Sequence, residues 1–348
     1  MSPTTGETPS PVATGGRSRP GRWWGLAALG AGLLLACTAS VAVGSRTVPL
    51  AEVWQALTDP SVHTFSAEAV RSRVPRTLLG LVAGASLAVS GALLQALTRN
   101  PLADPGILGV NSGAAVMVVI GMAWFGLTSA TQYVWLALAG AAGAAALVWG
   151  VGTGWGRSSS PLRLALSGAV LTAVLTGIIQ AVLLPRADLL QVFRTWQAGG
   201  IDSAATPQVL GVLPLILLGG VGAALSGRAL NALALGDELA TGLGTRVGLV
   251  RLLVGGSAVT LAGATTALTG PIGFVGLVVP HGVRAVVGPD NRWVIAWSLA
   301  AGPLLLLLAD VVGRVLTKPS DVQVGIITAL VGAPVFIAMT RRRRIGEL

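Results

Sequence analysis

Side chains able to do chemistry are scarce in this sequence, and they stand where catalysis is difficult. Asp310 and Arg314 lie four residues apart in the apolar run LLLLLADVVGR. That spacing puts both on one helix face. An unpaired Asp at mid-membrane costs about 2.5–3.5 kcal/mol on insertion scales. The pair therefore reads as mutual neutralisation rather than a moving proton carrier. His281, in VVPHGVR, has only His63 as a fellow histidine, and no Cys or carboxylate stands at ligand spacing. No metal centre is expected. A Walker-type phosphate loop needs a lysine followed by Ser or Thr; Lys318 is the one lysine, and Pro319 follows it. The chain is expected to be no enzyme and to hold no cofactor, any ATP being bound by partner subunits.

A second group of residues interrupts helices. The run from Arg73 to Ala115 is apolar and Gly-rich, stops at Asn100-Pro101, and resumes past Asp104-Pro105. Pro271 and Pro280 are read as further helix breaks. Broken helices are tolerated at membrane depth only where protein or a water-filled path satisfies the freed backbone groups, so these residues predict a transport path. Thr172, Thr176 and Gln180 recur every fourth residue in the fifth apolar run, on one helical face, and are candidates for the path lining. A Thr can satisfy itself on its i−4 carbonyl; Gln180 is harder to leave in lipid.

The elements that must position these groups are long apolar helices. The chain of 348 residues is 53% apolar and 10% charged. About 20 apolar residues span a roughly 30 Å hydrocarbon core. Ten spans are predicted: 23–44, 76–98, 105–126, 132–152, 161–185, 207–227, 247–269, 272–288, 293–314 and 322–340. Residues 1–22, rich in Ser, Thr, Pro and Gly, read as a disordered tail, and 23–345 as one all-α domain. The single cysteine, Cys37, excludes an internal disulfide. Leu-Leu-Ala-Cys could mark a lipoprotein cleavage site, but the run 23–44 exceeds the roughly 7–15 residues of a signal core, which favours a retained span.

The net charge of +10 would suit a nucleic-acid binder, yet most of the 22 arginines fall between apolar runs. They read as topology determinants. With both termini in the cytoplasm, fifteen Lys/Arg lie inside, among them Arg341 to Arg344, and eight outside. A plasma-membrane protein of that orientation is expected, with lipid and not nucleic acid around it. Two segments also resemble each other at an offset of 172 residues: GASLAVSGALLQALTRNPLADPGIL from Gly84 and GSAVTLAGATTALTGPIGFVGLV from Gly256. Their opposite directions make an inverted repeat, a recurring transporter plan.

Taken together, RVPR, GALLQ, RNPLADPGILGVNSGA, GDELATGLG, GPIGFVGLVVPHGVR, AD-xx-GR and VGIITALVGAPVFI resemble the FecCD permeases, membrane subunits of type II ABC importers for iron–siderophores, haem and cobalamin. The resemblance covers residues 25–345. It implies the ten-helix type II importer permease fold, a second permease subunit (identical or sister), a cytoplasmic ABC ATPase dimer and an external substrate-binding protein. It implies that 233–246, LALGDELATGLGTR, carries the helix that couples to the ATPase, with Gly236, Asp237, Glu238, Ala240, Gly242, Leu243 and Gly244. Asp237 and Glu238 suit the first turn of a short helix, and the glycines its end. It implies that Arg73, Arg76 and Arg314 meet acidic groups of the binding protein, and it places Thr176 near the gate. The expected function is the permease of an importer, ferric siderophores first and haem or cobalamin next. An ion-coupled secondary transporter is the alternative of another class; it would need intramembrane carboxylates, of which Asp310 is the one candidate.

Overall fold

A computed structural model describes residues 19–44, 47–106, 108–153, 161–202, 205–316 and 321–345. The predicted tail lies almost wholly outside them. Among the described residues there are thirteen helices and no strand. Ten correspond one to one with the ten predicted spans: α1 (Arg19–Ala42), α3 (Phe65–Thr98), α4 (Val110–Phe125), α5 (Ala130–Thr153), α6 (Pro161–Leu183), α8 (Thr206–Ala234), α10 (Val247–Thr269), α11 (Val275–Val287), α12 (Asn291–Leu316) and α13 (Val324–Ile345). Seven are long and apolar enough to cross a membrane; α4, α11 and part of α13 are shorter apolar helices. The other three, α2 (Leu50–Thr58), α7 (Ala187–Gln197) and α9 (Asp237–Gly242), lie in the connections.

The hub is α3. It packs on α12, α10, α11 and α8, and 78% of its apolar window is buried, against 17% for α1 and for α6. Glycines make that approach possible, as small residues do between membrane helices. A Cβ on Gly84 would lie 2.6 Å from the Pro303 backbone, and one on Gly91 would lie 1.9 Å from the Gly276 carbonyl oxygen. With about 1.5 Å of rise per residue, the 34 residues of α3 reach about 50 Å. This exceeds the hydrocarbon core, so its first turns project beyond it. The helix starts eleven residues before the predicted position because Thr64 caps it, accepting from Ala67 N at 3.2 Å. Arg73 and Arg76 thus sit inside a helix rather than ahead of one.

The predicted breaks at Asn100-Pro101 and Pro271 are present. Helix α3 ends at Thr98 with Arg99 in the left-handed region. Asn100 Oδ1 then accepts from Leu102 N, and Asp104 Oδ1 from Gly106 N. The chain turns through Pro101 and Pro105 to α4. Helix α10 ends at Thr269, where Gly270 adopts φ 68°, and α11 starts at Val275. The repeat-related helices α3 and α10 touch through Ser90 Oγ, which donates to Ala258 O at 2.7 Å. They run antiparallel, since the end of α3 and the start of α10 share one end of the bundle. Pro280 is a correction: α11 runs straight through it. The carbonyl its missing N–H leaves free belongs to Gly276. Gln95 Nε2 donates to Gly276 O at 3.2 Å and to Leu277 O at 3.1 Å. Arg284 Nη1 in turn donates to Gln95 Oε1. Gln95 thus satisfies that carbonyl, and Arg284 supports it through the Gln95 amide oxygen.

Candidate functional site

Two polar constellations occupy opposite ends of the bundle. The first joins α1, α3 and α12. Arg73 Nη1 donates to the carbonyls of Val41 and Ala42 at 2.9 and 3.1 Å, where α1 ends and its last C=O groups need donors. Arg76 donates to Asp310 Oδ1 from Nε and Nη2 at 3.0 and 2.7 Å, and to Asp321 Oδ2 from Nη1 at 2.7 Å. Arg314 donates to Ser40 O at 2.9 Å and to Ser40 Oγ at 3.2 Å. Its Nη2 lies 2.8 Å from Asp310 Oδ2, an ion pair by distance although the N–H does not aim at that oxygen. Asp310 is fully buried and Arg314 is 3% exposed. The predicted i,i+4 pair is formed, and Arg76 joins it as a third member. Asp321, at the rim, is the accessible carboxylate of the set.

At this same end a cavity of about 380 Å³ opens between α4, α5, α7 and the end of α10. Tyr133, Trp196, Asp202, Gln208 and Thr269 are among its lining residues.

The second constellation surrounds α9. Gly236, at φ 113°, lets the chain leave α8 and enter this six-residue helix; Gly244, at φ 80°, lets it leave. Ala240 is fully buried, whereas Glu238, Gly242, Leu239 and Leu243 face outward. Asp237 receives two guanidinium groups. Arg99 Nη2 donates to its Oδ1 at 2.8 Å, and Arg251 Nη2 to its Oδ2 at 2.7 Å. Arg99 Nη2 also donates to Leu233 O at the end of α8. The loop is therefore fastened to α3, α8 and α10.

The FecCD transport family matches residues 32–342. The ferric enterobactin transport system permease protein FepD of Escherichia coli (strain K12) is 42% identical over 315 residues, covering 90% of this chain and 94% of that protein. The hemin transport system permease protein HmuU of Yersinia pestis is 34% identical over 319 residues, 90% and 93% of the two chains. A solved chain described as an inward-facing conformation of a metal-chelate type ABC transporter superposes with a TM-score of 0.78 at 28% identity, covering 93% of this chain and 99% of that one. The chain belongs to the FecCD transport family.

This FecCD permease has the type II ABC importer fold and is a multi-pass membrane protein. Of the predicted path residues, Thr172 is half-buried while Thr176 and Gln180 are exposed on α6. Exposed Val170, Val174 and Ile178 of α6 each stand two residues before one of them, hence roughly 160° round the helix at 3.6 residues per turn. The polar and apolar stripes flank the face carrying Leu164, Ile179 and Leu183, which is buried against α4 and α5. The permease brings Arg76 and Arg314 onto one carboxylate, with Arg73 on the neighbouring α1 carbonyls, and keeps the α6 stripe apart from all three.

Several participants escaped the sequence reading. Asp321 and Ser40 carried no signal, being ordinary polar residues near helix ends. Gln95 did carry one, as a lone amide in SGALLQALT. Arg99 and Arg251 belong to the arginines that read as topology determinants.

Proposed function

We propose that this chain is the permease subunit of an ATP-driven importer of ferric siderophores in the cytoplasmic membrane. The observation that carries it is the 42% identity to the ferric enterobactin permease over 90% of the chain. An ATPase dimer binds the α9 end, which is cytoplasmic with both termini, and an external binding protein delivers the chelate to the Arg76 end. A second permease, identical or sister, completes the path.

The geometry supports this division of labour. Leu239 and Leu243, 62% and 67% exposed, stand four residues apart at α9 and form a short apolar ridge beside Glu238, with Leu235, 59% exposed, at the end of α8. Such a ridge suits a protein groove. At the other end, the Arg76 guanidinium is held by Asp310 and by the more exposed Asp321, so acidic groups of a docked protein engage it by taking the place of Asp321. Arg73 and Arg314 hold the helix ends beneath. Charge complementarity of this kind sets register and encounter rate more than affinity. The stripe of Thr172, Thr176 and Gln180 lines the path, and the chelator itself holds the iron, so the path needs no metal ligands.

The test is uptake by the reconstituted transporter with its binding protein, using labelled ferric siderophores, haem and cobalamin side by side. Nucleotide-dependent uptake of a ferric siderophore is expected. Uptake of haem or cobalamin alone would move the permease to another cargo, and uptake by the purified chain without an ATPase would remove the ATP-driven reading.

A further inference from the structure

Asp237 and Glu238 are neighbours, yet the structure gives them different surroundings. Glu238 is exposed, and among the described residues no hydrogen bond or ion pair involves its side chain. Asp237 has both carboxylate oxygens occupied from within the chain, by Arg99 at 2.8 Å and Arg251 at 2.7 Å. The two donors come from the two helices that the internal repeat relates. Arg99 closes α3 in a left-handed conformation at φ 50°, directly before the Asn100-Pro101 break. Arg251 sits in the second turn of α10, the helix that ends at the Gly270-Pro271 break. Arg99 further holds the Leu233 carbonyl where α8 runs into the α9 loop.

We infer that Asp237 is a positioning residue, a pin that joins α9 to both broken helices, rather than a contact to the ATPase. The inference rests on the reading of 233–246 as the coupling element and refines it. Glu238 and the ridge of Leu239 and Leu243 face the ATPase. Asp237 is held between Arg99 and Arg251, so a displacement of α9 reaches α3 and α10 together. A non-Gly residue in the left-handed region is uncommon, and the Arg99 side chain that leaves this backbone turn is held by two acceptors, Leu233 O and Asp237 Oδ1. The ion pairs are half-exposed, with Asp237 at 45%, Arg99 at 45% and Arg251 at 38%. Such pairs add little to stability, so the pin acts by direction rather than by holding the fold together.

The experiment uses the whole transporter, with ATPase subunits and binding protein, reconstituted in vesicles. Three quantities are measured: ATPase retained on purification, nucleotide hydrolysed, and chelate transported. For Asp237→Asn, retained ATPase should stay within about twofold of native while chelate moved per nucleotide falls by roughly fivefold, the scale that two half-exposed ion pairs support. Combining Asp237→Arg with Arg99→Asp and Arg251→Asp re-forms both pairs with signs reversed and should recover at least about half of the native ratio. Loss of the ATPase from Asp237→Asn would overturn the inference, because Asp237 would then be a partner contact. So would an unchanged transport ratio, or a reversed-charge variant as poor as Asp237→Asn. The coupling reading fails separately. If Glu238→Lys and Leu239→Asp both leave ATPase retention untouched, 233–246 is not the docking element, whatever Asp237 does.

Discussion

Asp310 shows how one buried group organises several others. Two guanidinium groups from different helices converge on it, and it has no exposure to water. Removing one partner from a buried ion pair leaves an uncompensated charge, and the penalty is about 3–5 kcal/mol. Asp310→Asn should therefore destabilise the detergent-solubilised permease by about that amount, read as a lower melting temperature and reduced yield. Asp321→Asn removes a partner of the same Arg76, but its side chain is 37% exposed. The expected loss there is below about 1 kcal/mol. Equal effects from the two substitutions would show that burial does not govern the cluster. The sequence displayed the Asp310–Arg314 half of this arrangement through its i,i+4 spacing. It could not display Arg76, which lies 234 residues from Asp310 and meets it only because α3 packs along α12.

At the scale of elements, hydrophobic runs located the seven helices long enough to cross a hydrocarbon layer and the three shorter apolar ones, α4, α11 and α13. The amphipathic helices α2 and α7 were not legible. They are short and bury little, Val53 and Ala56 in α2 and Phe193 in α7, so their apolar periodicity merges with the loops around them. Pro280 shows a different limit. A proline inside a helix leaves a carbonyl without its N–H donor, and here Gln95 of α3 supplies one, a fact of tertiary packing. That packing depends on Gly91, where a Cβ would stand 1.9 Å from the Gly276 oxygen. Gly91→Ala should push α11 from α3, break the Gln95 contacts with Gly276 and Leu277, and cost more than the roughly 1–3 kcal/mol of ordinary overpacking. Gly256→Ala is the control, since nothing lies within 4 Å of the added atom and Ala favours a helix over Gly by up to about 1 kcal/mol. Thermal unfolding of both variants in detergent checks this: a fall for Gly91→Ala with no fall for Gly256→Ala is expected.

Across the molecule, Asp237 joins the ends of the two antiparallel broken helices α3 and α10, Asp310 braces α3 against α12 at the opposite end, and α6 stands outside that frame. Among the described residues, helix α6 packs chiefly on α4, α5 and α7, and its two exposed flanks differ in kind. One carries Thr176 and Gln180, the other Val170, Val174 and Ile178. A flank of methyl groups is at home in lipid, whereas an amide and a hydroxyl need water or another polar surface. Native Cys37 is the single cysteine, so Cys37→Ser gives a background without thiols. On it, Thr176→Cys and Gln180→Cys in the assembled transporter should react with a small membrane-impermeant thiol reagent, at rates that change when nucleotide is added. Val174→Cys and Ile178→Cys should stay unreactive in the same vesicles, because a charged reagent does not enter hydrocarbon. Similar rates at all four positions would mean that α6 does not divide path from lipid, and the polar stripe would lose its place in transport. The contrast within one helix removes differences in expression and orientation, since every variant shares the same insertion and the same partners.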